Sequence, residues 1–310
     1  MSVSLGWVAA AIRGRALAAR ALGDRGTAAL ASKASLDEAM VYLASSSYGH
    51  GLHAGMELEG AQRTVGETAL WHLRVLAGWL PPSGVELLRV LASWFEMRNI
   101  EDRAIALAMG TGETPEAYRL GSLATAWREV EAASSLSVLR RTLAHSAWGD
   151  PGADALPTIL LGVRMGWCRR LRRALGRHRQ WGDGALALAI AKALFVPDGD
   201  PPHLESKDVP ELGSAWAKAE GLSQFTESLP PSARWVLDET KDPEHLWKAE
   251  RLWWERVDRD ARRLVDDWRL GRSVVIGAAV RLVTDCARTQ LGLQRAARGF
   301  GIEETDRASA

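Results

Sequence analysis

The chain is 310 residues long, 47% apolar and 25% charged, with a formal net charge of +1. This is the balance of a folded globular protein rather than a disordered one, and it provides no global field to select nucleic acid or an acidic membrane. Two cysteines, Cys168 and Cys286, cannot build a disulfide framework, and both fall in helical patterns, as expected of a reducing cytosolic compartment.

The opening MSVSLGWVAAAIRGR lacks a basic start and its apolar run closes at Arg13, so no secretory leader is expected. Residues 5–31 are rich in Ala, Leu and Arg and predict helix, interrupted at Gly23-Asp24. Ser35 with Glu38 three residues on has capping-box spacing and predicts a short helix to about Ser46. It closes at Tyr48-Gly49, where glycine suits a left-handed conformation. A long helix follows from about Met56 to Leu80, with Val65, Ala69, His72, Leu73, Leu76 and Leu80 at three- and four-residue spacing. Pro81-Pro82 stops it and Ser83 is expected to cap the next helix, 84–108. That helix buries Leu87, Leu88, Leu91, Phe95 and Met97 and carries a polar row, Glu96, Asn99 and Arg103. The loop 110–115 ends a first helical unit, 1–115.

A second unit, 116–202, opens with Leu-Gly-Ser at 120–122 and a helix containing Trp127. A short helix at 135–148, a turn at 149–152, a long helix at 155–179 and a third at 183–195 follow. The sequence PDGDPP at 197–202 reads as a linker. A third unit, 203–310, again opens with Leu-Gly-Ser, at 212–214, followed by Trp216. Its short helix ends at Pro230-Pro231. A long helix at 244–270 sets Trp247, Trp254, Val257, Ala261, Leu264, Val265 and Trp268 on one face; Gly271 breaks it before a last helix at 273–299. The tail beyond Gly301 is polar and expected to fray. No run approaches ~20 uninterrupted apolar residues, so no membrane span is expected. No alternating β-branched run predicts a strand.

The three units echo one another. Residues 35–49, SLDEAMVYLASSSYG, align with 135–149, SLSVLRRTLAHSAWG, with six identities and Tyr48 exchanged for Trp148. About one identity is expected from ordinary residue frequencies. A weaker copy begins at Leu222, where Leu222, Ser223, Leu229 and Ser232 match Leu136, Ser137, Leu143 and Ser146. The order short helix, long helix, long helix therefore predicts an all-α chain of three repeated units, each with too little apolar face to stand alone.

No catalytic, cofactor-binding or metal-binding constellation is read from the chain. His50 and His53 have ligand-like spacing, but no Cys, His or Asp cluster accompanies them. Gly110-Thr-Gly-Glu lacks the strand before it and the Gly-Lys-Ser/Thr after it that a phosphate loop needs. Ser45–Ser47 near His50 lack an orienting acid and read as helix-ending caps. The fourteen tryptophans read first as helical core and second as material for interfaces. Candidate partner-binding residues are Arg164, Arg169, Arg173 and Arg177, in a stretch without Asp or Glu from 155 to 182. Arg169, Arg173 and Arg177 share a face at i, i+4, i+8, and a single-sign run suits an anionic partner. Internal pairing with acids at 198–211 or 238–244 is the alternative. For Glu96, Asn99 and Arg103 the choice lies between an exposed ion-pair ladder and a buried polar link to the next unit's short helix.

Several stretches in order resemble one family. They are Arg13-Gly-Arg-Ala-Leu; the turns Ser46-Ser47-Tyr48-Gly49 and Ser146-Ala147-Trp148-Gly149; Glu96-Met-Arg-Asn99-Ile100 with Arg103 beyond; and Gly292-Leu-Gln-Arg-Ala-Ala-Arg-Gly299, with Gly292 where the family usually has Asn. Together they resemble the C subunit of prokaryotic A/V-type rotary ATPases, equivalent to subunit d of the eukaryotic V-type enzyme. The resemblance covers essentially the whole chain. It implies a pseudo-threefold helical funnel around a central cavity, with its wide end on the membrane proteolipid ring and its cavity receiving the central stalk. It also implies torque transmission without chemistry or cofactor, at the cytoplasmic face of the membrane. The reading from another class is a free-standing helical scaffold that binds nucleic acid through the arginine-rich helix.

Overall fold

The computed structural model describes residues 3–111, 114–196 and 204–299. The linker read at 197–202 and the tail after Gly301 lie outside the described residues. Among the described residues the chain is all-α, without strands. No helix there is long and apolar enough to cross a membrane.

Local chemistry sets the helix ends. Helix α1 (Val3–Ala18) stops before residues 19–22, and α2 (Gly23–Ala31) begins at a glycine with φ 68°. Helix α3 (Leu36–Ala44) starts at Ser35, whose hydroxyl accepts the Glu38 N–H at 3.2 Å, while the Glu38 carboxylate reaches back to the Ala34 N–H at 3.2 Å. Each bond satisfies an amide at the open end of the helix. Helix α4 (Leu58–Ala77) follows. Helix α5 (Pro82–Met109) begins at the proline, which is tolerated in a first turn because its missing N–H would have had no partner there. Ser83, expected as the cap, is therefore inside the helix.

After α6 (Trp127–Glu131), helix α7 (Leu136–Ala144) repeats the start of α3, with Ser135 accepting the Val138 N–H at 3.3 Å. Helices α8 (Leu156–Leu175) and α9 (Gln180–Phe195) are joined by a 3-10 turn at Gly176–His178. Then come α10 (Leu222–Ser228), α11 (Pro231–Arg234), α12 (Leu246–Val265) and α13 (Arg272–Ala297).

On α12 the buried residues are Leu246, Ala249, Trp253, Val257, Asp258 and Ala261. This differs from the face expected from the sequence: Trp247 is half exposed, and Trp268 lies beyond the helix end and is exposed. The buried row starts one residue earlier than expected, at Leu246, so Trp253 rather than Trp254 lies in the core.

The chain divides into two compact units, each gathered from distant stretches. Unit 1 takes residues up to Leu88, Tyr118–Leu123, and those from Asp258 on; unit 2 takes Arg89 to Ala117 and Ala124 to Val257. Compactness thus groups the chain differently from the consecutive units 1–115, 116–202 and 203–310. Unit 1 is built on α13, which packs against α1, α2, α3 and α4. Val274, Val275, Ala278, Ala279, Leu293 and Ala296 of α13 are fully buried. Unit 2 is built on α9, packed against α8 and α11. Gly182 of α9 lies so close to α8 that a methyl group there would stand 2.7 Å from the Cys168 carbonyl oxygen.

Candidate functional site

The repeated stretch forms the same local structure in both units. Ser35 and Ser135 have φ, ψ of −151°, 164° and −155°, 164°. At the other end, Ser46 donates to the Leu43 carbonyl at 2.7 Å and accepts the Tyr48 N–H at 3.1 Å. Ser146 makes the same two bonds, to Leu143 at 2.8 Å and from Trp148 at 3.1 Å. Tyr48 and Trp148 are both buried. The copy at Leu222 keeps the extended residue before its helix, but that residue is Gly221, which has no side chain to act as a cap.

The two glycines closing these turns serve different needs. Gly149 has φ 84° and takes the left-handed conformation read from the sequence. Gly49 does not: no positive φ occurs there, and a methyl group would sit 2.2 Å from the Ala44 carbonyl oxygen. Lack of a side chain, rather than freedom of φ, is what Gly49 supplies.

A buried carboxylate holds each module. In unit 2, Glu96 is fully buried, and its Oε1 accepts the N–H groups of Thr125, Ala126 and Trp127 at 2.7, 2.6 and 2.9 Å. These amides open α6. Asn99 is also buried, and Arg103 donates to the Ala133 carbonyl at 2.6 Å, two residues before the Ser135 cap. The row Glu96, Asn99, Arg103 is thus a buried polar link to the stretch leading into α7.

In unit 1, Asp285 of α13 has the corresponding place. Its carboxylate accepts the N–H groups of Leu22 and Gly23, at 2.9 and 2.8 Å, where α2 begins, and the Tyr48 hydroxyl at 2.9 Å. Burial, then the negative charge of Asp285, pushes the Tyr48 hydroxyl well above its ordinary pKa, so it stays a donor. Trp148 cannot make that bond. Instead the Arg170 guanidinium lies 4.7 Å from the Trp148 ring centroid and donates to the Thr125 hydroxyl at 2.8 Å.

The arginine-rich helix is largely engaged from within. Arg164 bonds Glu101 at 2.7 Å, Arg169 bonds Glu211 at 3.0 Å, and Arg172 bonds Asp183 at 2.6 Å. Arg173 and Arg177 are exposed and have no ion-pair partner among the described residues. Helix α8 ends at Leu175, so Arg177 lies in the following 3-10 turn and the shared face ends at Arg173. His50 and His53 are exposed, and no group of three or more His, Cys, Asp or Glu is placed to hold a metal ion among the described residues. Burial pushes both cysteine thiols upward, which keeps them protonated and unreactive.

The chain matches no protein-family model and no curated protein.

Two clusters were not visible in the sequence. In unit 2, Trp94 of α5, Trp167 of α8, and Trp253 and Trp254 of α12 form a closed cycle of ring contacts with centroids 4.8 to 5.9 Å apart. They line a cavity of about 190 Å³, with the Glu101–Arg164 and Glu250–Lys192 pairs among its walls. The tryptophan count is the signal that pointed there. In unit 1, Asp258 is buried and meets Arg262 at 2.7 Å, Arg288 at 2.9 Å and the Thr284 hydroxyl at 3.0 Å. Burial alone would raise its pKa; Arg288, Arg262 and Arg281 outweigh that and hold it below the usual carboxylate value. Arg262 and Arg288 also reach Asp24, at 2.8 and 2.7 Å, and so tie α12 and α13 to α2.

Proposed function

We propose that this chain is a non-catalytic rotor subunit of an A/V-type ATPase, linking the central stalk to the membrane proteolipid ring and transmitting torque during ion transport. In this reading the three repeated units close with pseudo-threefold symmetry into a funnel. Its wide end rests on the ring at the cytoplasmic face and its cavity takes the stalk tip.

The observation that carries the reading is the role of the residues behind the family resemblance. Glu96, Asn99 and the turn aromatics Tyr48 and Trp148 are buried structural fasteners of a short-helix module that occurs in both units. A part that carries torque needs such internal docking. A buried carboxylate that accepts several N–H groups resists displacement, because releasing it strands both the charge and the amides. The nucleic-acid reading is weakened by the same structure, since Arg164, Arg169, Arg170 and Arg172 are committed to internal partners and are poorly placed to neutralise phosphates.

The test is reassembly of the rotary complex with and without the chain. Without it, the catalytic head is expected to hydrolyse ATP while ion transport is lost; adding the chain back restores transport. Full coupling in its absence would sink the proposal.

A further inference from the structure

The exposed face shared by α1 and α4 in unit 1 carries large apolar side chains and cations together. Leu5 and Ile12 on α1 are 57% and 56% exposed, and Trp71 and Trp79 are each 49% exposed. Gly6 and Arg13 stand seven residues apart on one row of α1, and Arg20 follows seven residues later, just past the helix end. The Gly6 end of the row meets the turn after α4: a methyl group on Gly6 would be 3.2 Å from the carbonyl oxygen of Trp79, two residues past the end of α4. At the far end of the row lies His72. Burial, then the nearby charges of Arg20 and Arg13, depresses its pKa. The Trp71 ring is 5.0 Å from the His72 ring. Arg13 follows the exposed Ile12 on α1, and Arg13 and Arg20 lie near His72, whose ring meets that of the exposed Trp71.

Charge on this face has one sign. No Asp or Glu occurs from 1 to 23 or from 68 to 85. Arg15 is turned away, to the backbone carbonyls of Val265 and Asp267, which leaves Arg13 on α1 and Arg20 just beyond it as the exposed cations here.

We infer that the α1–α4 face, with Leu5, Ile12, Trp71 and Trp79 around Arg13 and Arg20, lands on an anionic lipid bilayer. Indole rings settle at the headgroup level, guanidinium groups take lipid phosphates, and aliphatic side chains reach the acyl boundary. Tryptophan and arginine also serve protein interfaces, so a protein partner is the competing outcome of the test. The inference stands independently of the rotor reading, because it concerns lipid and needs no other subunit.

The experiment is sedimentation of the full chain with sucrose-loaded vesicles of phosphatidylcholine alone, or with about a third phosphatidylglycerol, as salt rises from about 0.1 to about 0.5 M. The chain is expected to sediment with the anionic vesicles at low salt, to stay in solution with neutral ones, and to be released by high salt. Arg13→Glu with Arg20→Glu should lower partitioning by more than about 30-fold, since two attractions are lost and two repulsions gained, and Trp71→Ser with Trp79→Ser by about tenfold. All four side chains are exposed, so unchanged circular dichroism and unfolding midpoint confirm that these variants fold. Arg128→Glu with Lys218→Glu, exposed cations of unit 2, serves as the control and should bind as the parent chain does. No sedimentation with anionic vesicles overturns the inference, as does a loss as large in the unit 2 control. Capture by a detergent-solubilised proteolipid ring through Trp71 and Trp79, without vesicle binding, also overturns it and makes the face a protein interface.

Discussion

Tyr48 in unit 1 and Trp148 in unit 2 occupy the same turn, one residue before the closing glycine, and hang from nearly superposable hydrogen bonds to Ser46 and Ser146. What surrounds them differs. Around Tyr48, Asp285 both caps the start of α2 and accepts the phenol. Around Trp148 those duties are split: Glu96 caps the start of α6, and Arg170 covers the indole. The module keeps its backbone and exchanges the chemistry that holds its aromatic residue. A Tyr-to-Trp change at one position is thus coupled to a change of partner on another helix.

The largest effect is expected where a buried acid is removed. Glu96→Ala would strand three amides at the start of α6 and lower stability by about 4 kcal/mol. Asp285→Ala should cost a similar amount in unit 1. Urea unfolding measures both, and a loss of under about 1 kcal/mol in either would break the parallel between the units. Next come the glycines. Gly49→Ala forces a methyl group onto the Ala44 carbonyl and should cost about 3 kcal/mol. Gly149→Ala, which meets only a left-handed φ, should cost about 1 kcal/mol. Equal costs would mean that the two turns close in the same way after all.

A smaller loss is expected from Tyr48→Phe, about 2 kcal/mol for one hydrogen bond to a buried carboxylate. The smallest change to be read is a pH dependence, that of the Asp258 cluster. Its carboxyl pKa is lower in the folded chain than in the unfolded one, so its stabilising contribution is complete above about pH 4 and is lost as pH falls through the folded value. The gap in unfolding midpoint between the parent chain and Asp258→Asn should be flat near neutrality and narrow below about pH 4. A gap that widens on acidification would contradict the ion-pair assignment.

What could be read from the sequence was local. Ser35, Ser135 and their short helices follow from capping chemistry within four residues, and the helical class follows from apolar spacing. Glu96, Asn99 and Arg103 stood out as a row, though only the structure decides that Glu96 and Asn99 are buried and Arg103 half-buried. Long-range partners leave no such trace. Asp285 lies 237 residues from Tyr48, and nothing in its own helix distinguishes it from a solvent-facing acid. The acids that hold Arg164 and Arg169 are 63 and 42 residues away, so the arginine run looked like a single surface before those pairs were known. The tryptophan cycle draws on three helices, and composition alone could hint at it without assembling it.

The most direct measurement of the proposed coupling role is affinity isolation of the tagged chain from gently solubilised membranes of the organism that encodes it. A coupling part should bring down central-stalk and proteolipid subunits together, in fixed proportion and with no dependence on nuclease treatment. Recovery of the chain alone, or with nucleic acid that salt removes, would contradict the account.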